Sequence, residues 1–335
     1  MSDLRIPVGA WAEEAIDWLT GALGGLFRLI STVLRWLYDL AEQIFTSPDV
    51  WWVGLVLSLV VAGAVLLAKD WRWAAGTLAA LLAYWVVTQQ LVPEPDFWFV
   101  AVVLALVALV VKGWLLAVAA ALGFVLIFAM NQWDNAVQTI ALVLVASAIA
   151  TLLAIPTGIL AARSSVASAI VRPVLDFLQT MPAFVYLIPA IMLFRTGVVP
   201  GIIASIVFAM APGVRFTELG IRQVDREVVE AGHAFGATPR RILRQIQLPL
   251  AMPTIMAGIN QIIMLSLSMV VIAAMVGAPG LGQDVVTGLT GLRVGLGVEA
   301  GLAVVILAIY LDRVTAALGD RSPVARAQKI RASDD

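Results

Sequence analysis

Few residues in this sequence are equipped for chemistry, and their types restrict what that chemistry can be. The 335 residues include no cysteine and one histidine, His233. Thiolate nucleophiles, disulfides and multi-histidine metal sites are therefore excluded. A lone histidine in a charged stretch offers no workable Ser/His/Asp arrangement, and it reads as an exposed helix residue rather than a switch. No G-x-x-x-x-G-K-[ST] segment occurs, so the chain has no loop to cradle the phosphates of ATP. Gly295 to Ala300 fits G-x-G-x-x-A, but no βαβ pattern surrounds it and the match carries no weight. What remains is charge, and it gathers in one island from Thr217 to Pro249, with Arg215 just ahead of it. Arg222, Arg226, Arg240, Arg241 and Arg244 stand there against Glu218, Asp225, Glu227 and Glu230. A polar island between apolar stretches is where a soluble partner can grip a membrane protein.

The island has a local grammar. Glu230 to Gly236 reads as a helix end, because glycine takes the left-handed turn at little cost. Thr238 suits an N-cap and Pro239 the first helical position. The basic turns from Arg240 to Gln247 lead to Leu248-Pro249, where the next apolar stretch begins. The expectation is a short helix, a tight turn and a second short helix at the membrane surface. Its carboxylates are expected to be solvated.

The elements around the island are membrane helices. The chain is 61% hydrophobic and 13% charged, against about 45–50% and 25% for a soluble domain. Apolar runs of about 20 residues recur, so the fold class is all-α and polytopic. Nine spans are expected: 51–68, 73–90, 97–111, 114–130, 136–161, 173–194, 197–214, 249–276 and 299–318. Before them, Leu23, Leu26, Phe27, Ile30, Leu34, Leu37, Leu40 and Ile44 recur at three- and four-residue steps opposite Arg28, Arg35, Asp39 and Glu42. That is an amphipathic helix suited to lying in the interface. Met1 to Asp17 is acidic and unlike a cleavable signal. The segment 277–297 is glycine-rich and reads as a re-entrant or capping loop. The tail 319–335 is short and polar.

With the island on the cytoplasmic side, 16 of the 21 Lys and Arg residues fall inside and only Arg5, Arg28, Arg35, Arg195 and Arg293 outside. The positive-inside rule then puts the N-terminus out and the C-terminus in. Trp51, Trp71, Trp98, Trp114 and Trp133 sit at span ends as interfacial anchors. The span 173–194 contains Pro182 and Pro189, each of which removes a helix hydrogen bond. It is either a kinked packing helix or a broken one lining a pathway. Asp176, near its expected start, is either functional or a first-turn carboxylate favoured by the helix dipole and paired with Arg172.

Two further motifs carry a resemblance. Glu230-Ala231-Gly232, Gly236 and Ile246-Gln247-Leu248-Pro249 resemble the coupling loop of bacterial ABC importer permeases, with Gly232 where the pattern has alanine. That change loosens the helix by up to roughly 1 kcal/mol. DFLQTMPAFVYLIPA (Asp176 to Ala190) and the text from Gln247 to Gly277 resemble the glycine betaine/proline betaine branch. The resemblance covers about 139–312 and implies an ABC type I permease core at 136–318 with its coupling loop at 217–249. The segments 1–50 (periplasmic, interfacial) and 51–130 (additional helices) stand outside it.

It further implies an inner-membrane permease that borrows energy. Two cytoplasmic ABC ATPases, carrying the ATP and Mg, would act on two copies of this chain, and a separate periplasmic protein would deliver the solute. This chain would hold no cofactor, touch no nucleic acid and be no enzyme. Glu230, Ala231, Gly232, Phe235, Gly236, Ala237, Pro239, Arg240, Leu248 and Pro249 would couple to the ATPase. Asp176, Gln179, Thr180, Met181, Pro182, Phe184, Tyr186 and Asn260 would line the pathway, where aromatic faces suit a quaternary ammonium. Choline, trimethylamine N-oxide or an amino acid are alternative cargoes. A non-transporting scaffold or sensor is the rival of another class, and a membrane enzyme ranks behind both.

Overall fold

The computed structural model describes residues 8–46, 58–59, 61, 77–78, 80–85 and 95–319. The spans expected at 51–68 and 73–90 fall largely outside these residues, as does the tail beyond Gly319. Every described element is a helix. In chain order they are α1 (Val8–Thr46), α2 (Pro95–Lys112), α3 (Trp114–Ala129), α4 (Trp133–Arg163), α5 (Ser165–Thr180), α6 (Ala183–Phe194), α7 (Val198–Arg222), α8 (Arg226–Ala234), α9 (Pro239–Ile242), α10 (Leu248–Ser268), α11 (Val270–Ala274), α12 (Leu281–Thr290) and α13 (Val294–Gly319). The seven expected spans from 97 onward each fall on helices. Four described helical runs, Trp133–Arg163, Val198–Arg222, Pro239–Ala274 and Val294–Gly319, are long and apolar enough to cross a membrane. The pair α5 and α6 makes a fifth if its bend is counted within one span.

The centre of the bundle is α4, α7 and α10. Lipid gives helices no hydrophobic reason to associate, so close approach through small residues has to supply the contact energy. Ala141, Ala146, Ala150 and Ala154 of α4 are fully buried. Gly158 stands where an added Cβ would lie 2.7 Å from the Val214 carbonyl oxygen of α7. Gly258 of α10 does the same toward the Phe216 Cβ at 2.7 Å. Around this core, α13 packs on α10, and the hairpin of α2 and α3 packs on α13. Phe97 stacks on Phe128 at 4.1 Å, Phe124 meets Tyr310 edge-on at 5.1 Å, and the Tyr310 hydroxyl donates to the Leu104 carbonyl at 3.0 Å.

Three sequence expectations change. The amphipathic helix is longer than Leu23–Phe45. It runs 39 residues, through Gly21, Gly24 and Gly25, and buries Leu34, Tyr38 and Phe45 against the bundle. Its apolar face is thus covered by protein in part, while Leu23 and Leu26 stay exposed. The segment 277–297 contains a helix, α12, docked across the end of α4. The Gln132 and Asn135 side-chain amides donate to Asp284 at 3.0 and 2.7 Å, and the Leu281 N–H donates to Thr139 Oγ1 at 2.9 Å. Finally, Pro182 and Pro189 are not equivalent. The chain breaks at Met181-Pro182 with a 98° bend, whereas Pro189 lies within α6. Met181 adopts ψ 136°, the extended conformation that a following proline ring enforces.

Candidate coupling loop and pathway

The polar island folds as a hairpin of two unequal limbs. The first limb, α8, begins at Asp225, whose carboxylate accepts from the Glu227 N–H at 2.9 Å. Arg226 and Glu230 pair along its exposed face at 3.0 Å, a contact contributing about 0.3–0.5 kcal/mol. The limb closes with two backbone bonds, Ala237 N–H to the Gly232 carbonyl at 3.1 Å and Gly236 N–H to the His233 carbonyl at 2.9 Å. Gly236 stands at φ +74°, the left-handed conformation that this Schellman turn requires. Thr238 precedes α9, but its side chain makes no cap bond. Its backbone carbonyl accepts from Arg241 and Ile242 instead.

The second limb is not a separate helix on the surface. Pro239 starts a run that passes through one π-helical stretch, Leu243–Gln247, and continues without a break into α10. Pro249 sits in the first turn of α10, where the missing N–H costs least. The hairpin is welded to the bundle by a small apolar cluster of Ile221, Leu243, Ala251 and Ile255, with Ile155 and Ile159 of α4 packed on it.

Glu230, Ala231, Phe235, Gly236, Pro239, Arg240 and Pro249 are exposed, Ala237 and Leu248 are half-buried, and Gly232 is buried. Phe235 is 91% exposed at the tip. Gly232 has a packing reason beyond helix propensity. A Cβ there would lie 2.8 Å from Ile246 Cδ1, at the crossing of the two limbs. Gly232→Ala is expected to be nearly neutral, because Ile246 can swing aside and the helix propensity regained, up to about 1 kcal/mol, offsets the crowding. Gly232→Leu is expected to cost about 1–3 kcal/mol by overpacking, read as a lower thermal midpoint of the purified protein.

The pathway candidates divide. Gln179 and Met181 are half-buried and Thr180, Pro182 and Phe184 exposed, all beside the α5–α6 bend. Tyr186 turns away, buried at 8% exposure with Leu187, Ala204, Met269 and Val276. Its hydroxyl meets no hydrogen-bond partner among the described residues. Asn260 is bound to a neighbouring helix. Its amide donates to Asp312 at 2.9 Å and its carbonyl accepts from Thr315 Oγ1, which ties α10 to α13. Asp176 is not in a first turn, since α5 begins at Ser165 and Asp176 lies near its far end. It pairs with Arg215 of α7, not with Arg172.

Arg172 instead reaches Glu218, the residue the sequence reading placed among solvated carboxylates. The Glu218 side chain is 5% exposed. It accepts from Ser168 Oγ at 2.8 Å and Arg172 Nη2 at 2.9 Å, and forms an ion pair with Arg222 Nη2 at 2.9 Å. Arg222 Nη2 also donates to the Ala161 carbonyl at 2.9 Å. One buried carboxylate thus fastens α5, α7 and the end of α4 within one turn of the hairpin. Arg215, Glu218 and Arg222 share one helical face by their spacing, but the spacing does not declare the cover that Ser168 and Arg172 supply from α5.

Comparison with known proteins agrees with this architecture. Residues 154–322 match the family described as binding-protein-dependent transport system inner membrane component. The chain is 42% identical over 311 residues to the glycine betaine transport system permease protein OpuAB of Bacillus subtilis, covering 93% of this chain and 94% of that one. It is 40% identical over 317 residues to the glycine betaine/carnitine transport permease protein GbuB of Listeria monocytogenes, covering 95% and 97%. In fold it is similar to a solved structure of the MetNI methionine ABC transporter in inward-facing conformations, with TM-score 0.51 and 22% identity over 58% of this chain and 95% of that chain. The chain is a multi-pass inner-membrane protein and belongs to the binding-protein-dependent ABC importer permeases, in their glycine betaine branch.

Proposed function

We propose that this chain carries glycine betaine or a closely related zwitterionic methylammonium acid inward, worked by an ATPase that grips the hairpin from α8 to Leu243–Gln247. The observation that carries the coupling half of this reading is the hairpin itself. Its tip, Phe235, is a large apolar side chain exposed between charges, which suits a socket on a soluble partner. Its second limb runs without interruption into α10. The solute half rests on near full-length similarity to the relatives above.

In this reading two copies of the chain face each other across the α5–α6 bend. That bent pair exposes Ile170, Val174, Phe177, Phe184 and Ile188, an apolar strip that a second copy would cover. Two ATPases bear the ATP and Mg, and a soluble protein on the other side of the membrane hands over the solute. The N-terminus lies outside and the C-terminus inside, as the distribution of Lys and Arg supports. Asp176, Gln179, Thr180, Met181 and Phe184 lie nearest the solute.

The test is reconstitution of the chain with its ATPase and binding protein in liposomes, with uptake of labelled glycine betaine measured on adding ATP. Phe235→Ala is expected to reduce uptake about tenfold or more, as loss of a buried aromatic anchor does at an interface, with the chain inserted normally. Unchanged uptake and unchanged ATPase binding would remove the hairpin from the mechanism.

A further inference from the structure

We propose that the cleft between α5 and the hairpin-side half of α7 is a release site for a zwitterion, with Asp176 and Arg215 as its two exchangeable handles. This deepens the functional reading above and rests on it. The cleft encloses about 320 Å³ and is lined by Arg172, Asp176, Arg215, Glu218, Leu219 and Arg222. That volume lies at the lower end of the range for small-molecule sites, about 300–1,000 Å³.

The two ion pairs in the cleft differ in kind. Glu218 is buried, with Ser168, Arg172 and Arg222 gathered on its Oε1 and Arg172 Nε at 3.4 Å from its Oε2. It holds two guanidinium groups in place. Asp176 and Arg215 are 65% and 44% exposed. An exposed pair contributes only about 0–1 kcal/mol, so it opens readily. A solute bearing both charges can insert between them: its carboxylate accepts from Arg215 while its ammonium lies against Asp176. One pair is lost and two are formed. A solute with only one charge leaves either Asp176 or Arg215 unpaired. The cleft therefore selects for paired charges, and it binds weakly because it must displace an existing contact. Weak binding is what release requires.

Position supports the same role. Arg215 is seven residues before Arg222, where α7 ends, so the cleft lies about 10 Å along the helix from the hairpin.

The experiment uses the nucleotide-free permease–ATPase complex in nanodiscs, without binding protein. Saturation-transfer NMR is recorded on the methyl protons of glycine betaine, of choline, which lacks the carboxylate, and of 3,3-dimethylbutanoate, its uncharged-head isostere. Only glycine betaine is expected to give a strong signal. Arg215→Gln and Asp176→Asn are each expected to weaken it roughly tenfold, the usual effect of removing one charge-assisted contact. Arg28→Gln, on α1, serves as the control and is expected to leave it unchanged. The double charge swap Asp176→Arg with Arg215→Asp is expected to restore part of the signal.

In the full system both single variants are expected to lower maximal uptake while leaving the KM, set by the binding protein, in place. Equal signals from all three solutes, or signals indifferent to both substitutions, would overturn the release site. Failure of the transport reading looks different, because wild-type liposomes would then show no ATP-dependent uptake at all.

Discussion

Gly158→Ala is expected to lower the stability of the purified chain by about 1–3 kcal/mol, the usual cost of forcing volume into a packed core. An added Cβ would fall 2.5 Å from the Thr217 Cβ and 2.7 Å from the Val214 carbonyl oxygen. Neither neighbour is the loose end of a flexible side chain. One is β-branched at the helix surface and the other is backbone, so relief requires α4 and α7 to separate. Gly158→Leu is expected to prevent assembly of the bundle, seen as loss of the monodisperse species in detergent. The check is the thermal midpoint of Gly158→Ala beside that of Gly301→Ala, where an added Cβ would meet nothing within 4 Å. Equal midpoints would show that the α4–α7 approach is not what holds the bundle together.

Glu218→Ala is the second large effect. It removes the acceptor for three donors at once. Charge-assisted hydrogen bonds contribute about 1.5–3 kcal/mol each when fully buried. Arg172 and Arg222 are 57% and 42% exposed, so water recovers much of that loss. A net cost of about 2 kcal/mol is expected. The functional cost is larger, because Glu218 is the buried link of α5 to α7 next to the hairpin. Uptake is expected to fall at least about tenfold while the ATPase continues to turn over, so the ratio of solute moved to ATP hydrolysed drops. Glu218→Gln retains the shape and one acceptor, and should fall between the two. Wild-type uptake by Glu218→Ala would refute the assignment.

The parts of this fold that were legible in the sequence were those set by local chemistry. Gly236 stops a helix because its own backbone must turn left-handed, and Pro182 breaks one because its ring acts on Met181. Both effects need no distant partner. Glu218 was misread for the opposite reason. Its partners Ser168 and Arg172 are 50 and 46 residues away, and nothing in the neighbouring sequence shows that a carboxylate beside two arginines will be covered. The burial of Tyr186 and the bond of Asn260 to Asp312 were not legible, because an apolar stretch does not declare which of its faces meets a neighbour. The extension of α1 back through Gly21 to Val8 was not legible, since the packing of Leu34, Tyr38 and Phe45 that holds the helix lies downstream of that glycine.

The helical run from Pro239 to Ala274, interrupted only by a turn at Met269, has a mechanical consequence. It is 36 residues long, about 54 Å at 1.5 Å per residue, and its first turns belong to the hairpin that the partner would hold. Just past its other end, Val276 accepts from the N–H of Gly197, at the head of α7. A rod of that length, pinned near its middle by the Asn260–Asp312 bond to α13, behaves as a seesaw. Tilting one extremity inward would tip the other outward, less whatever the π-helical stretch Leu243–Gln247 and the turn at Met269 take up. Closing one mouth of the protein and opening the opposite one would then be a single motion rather than two that need timing.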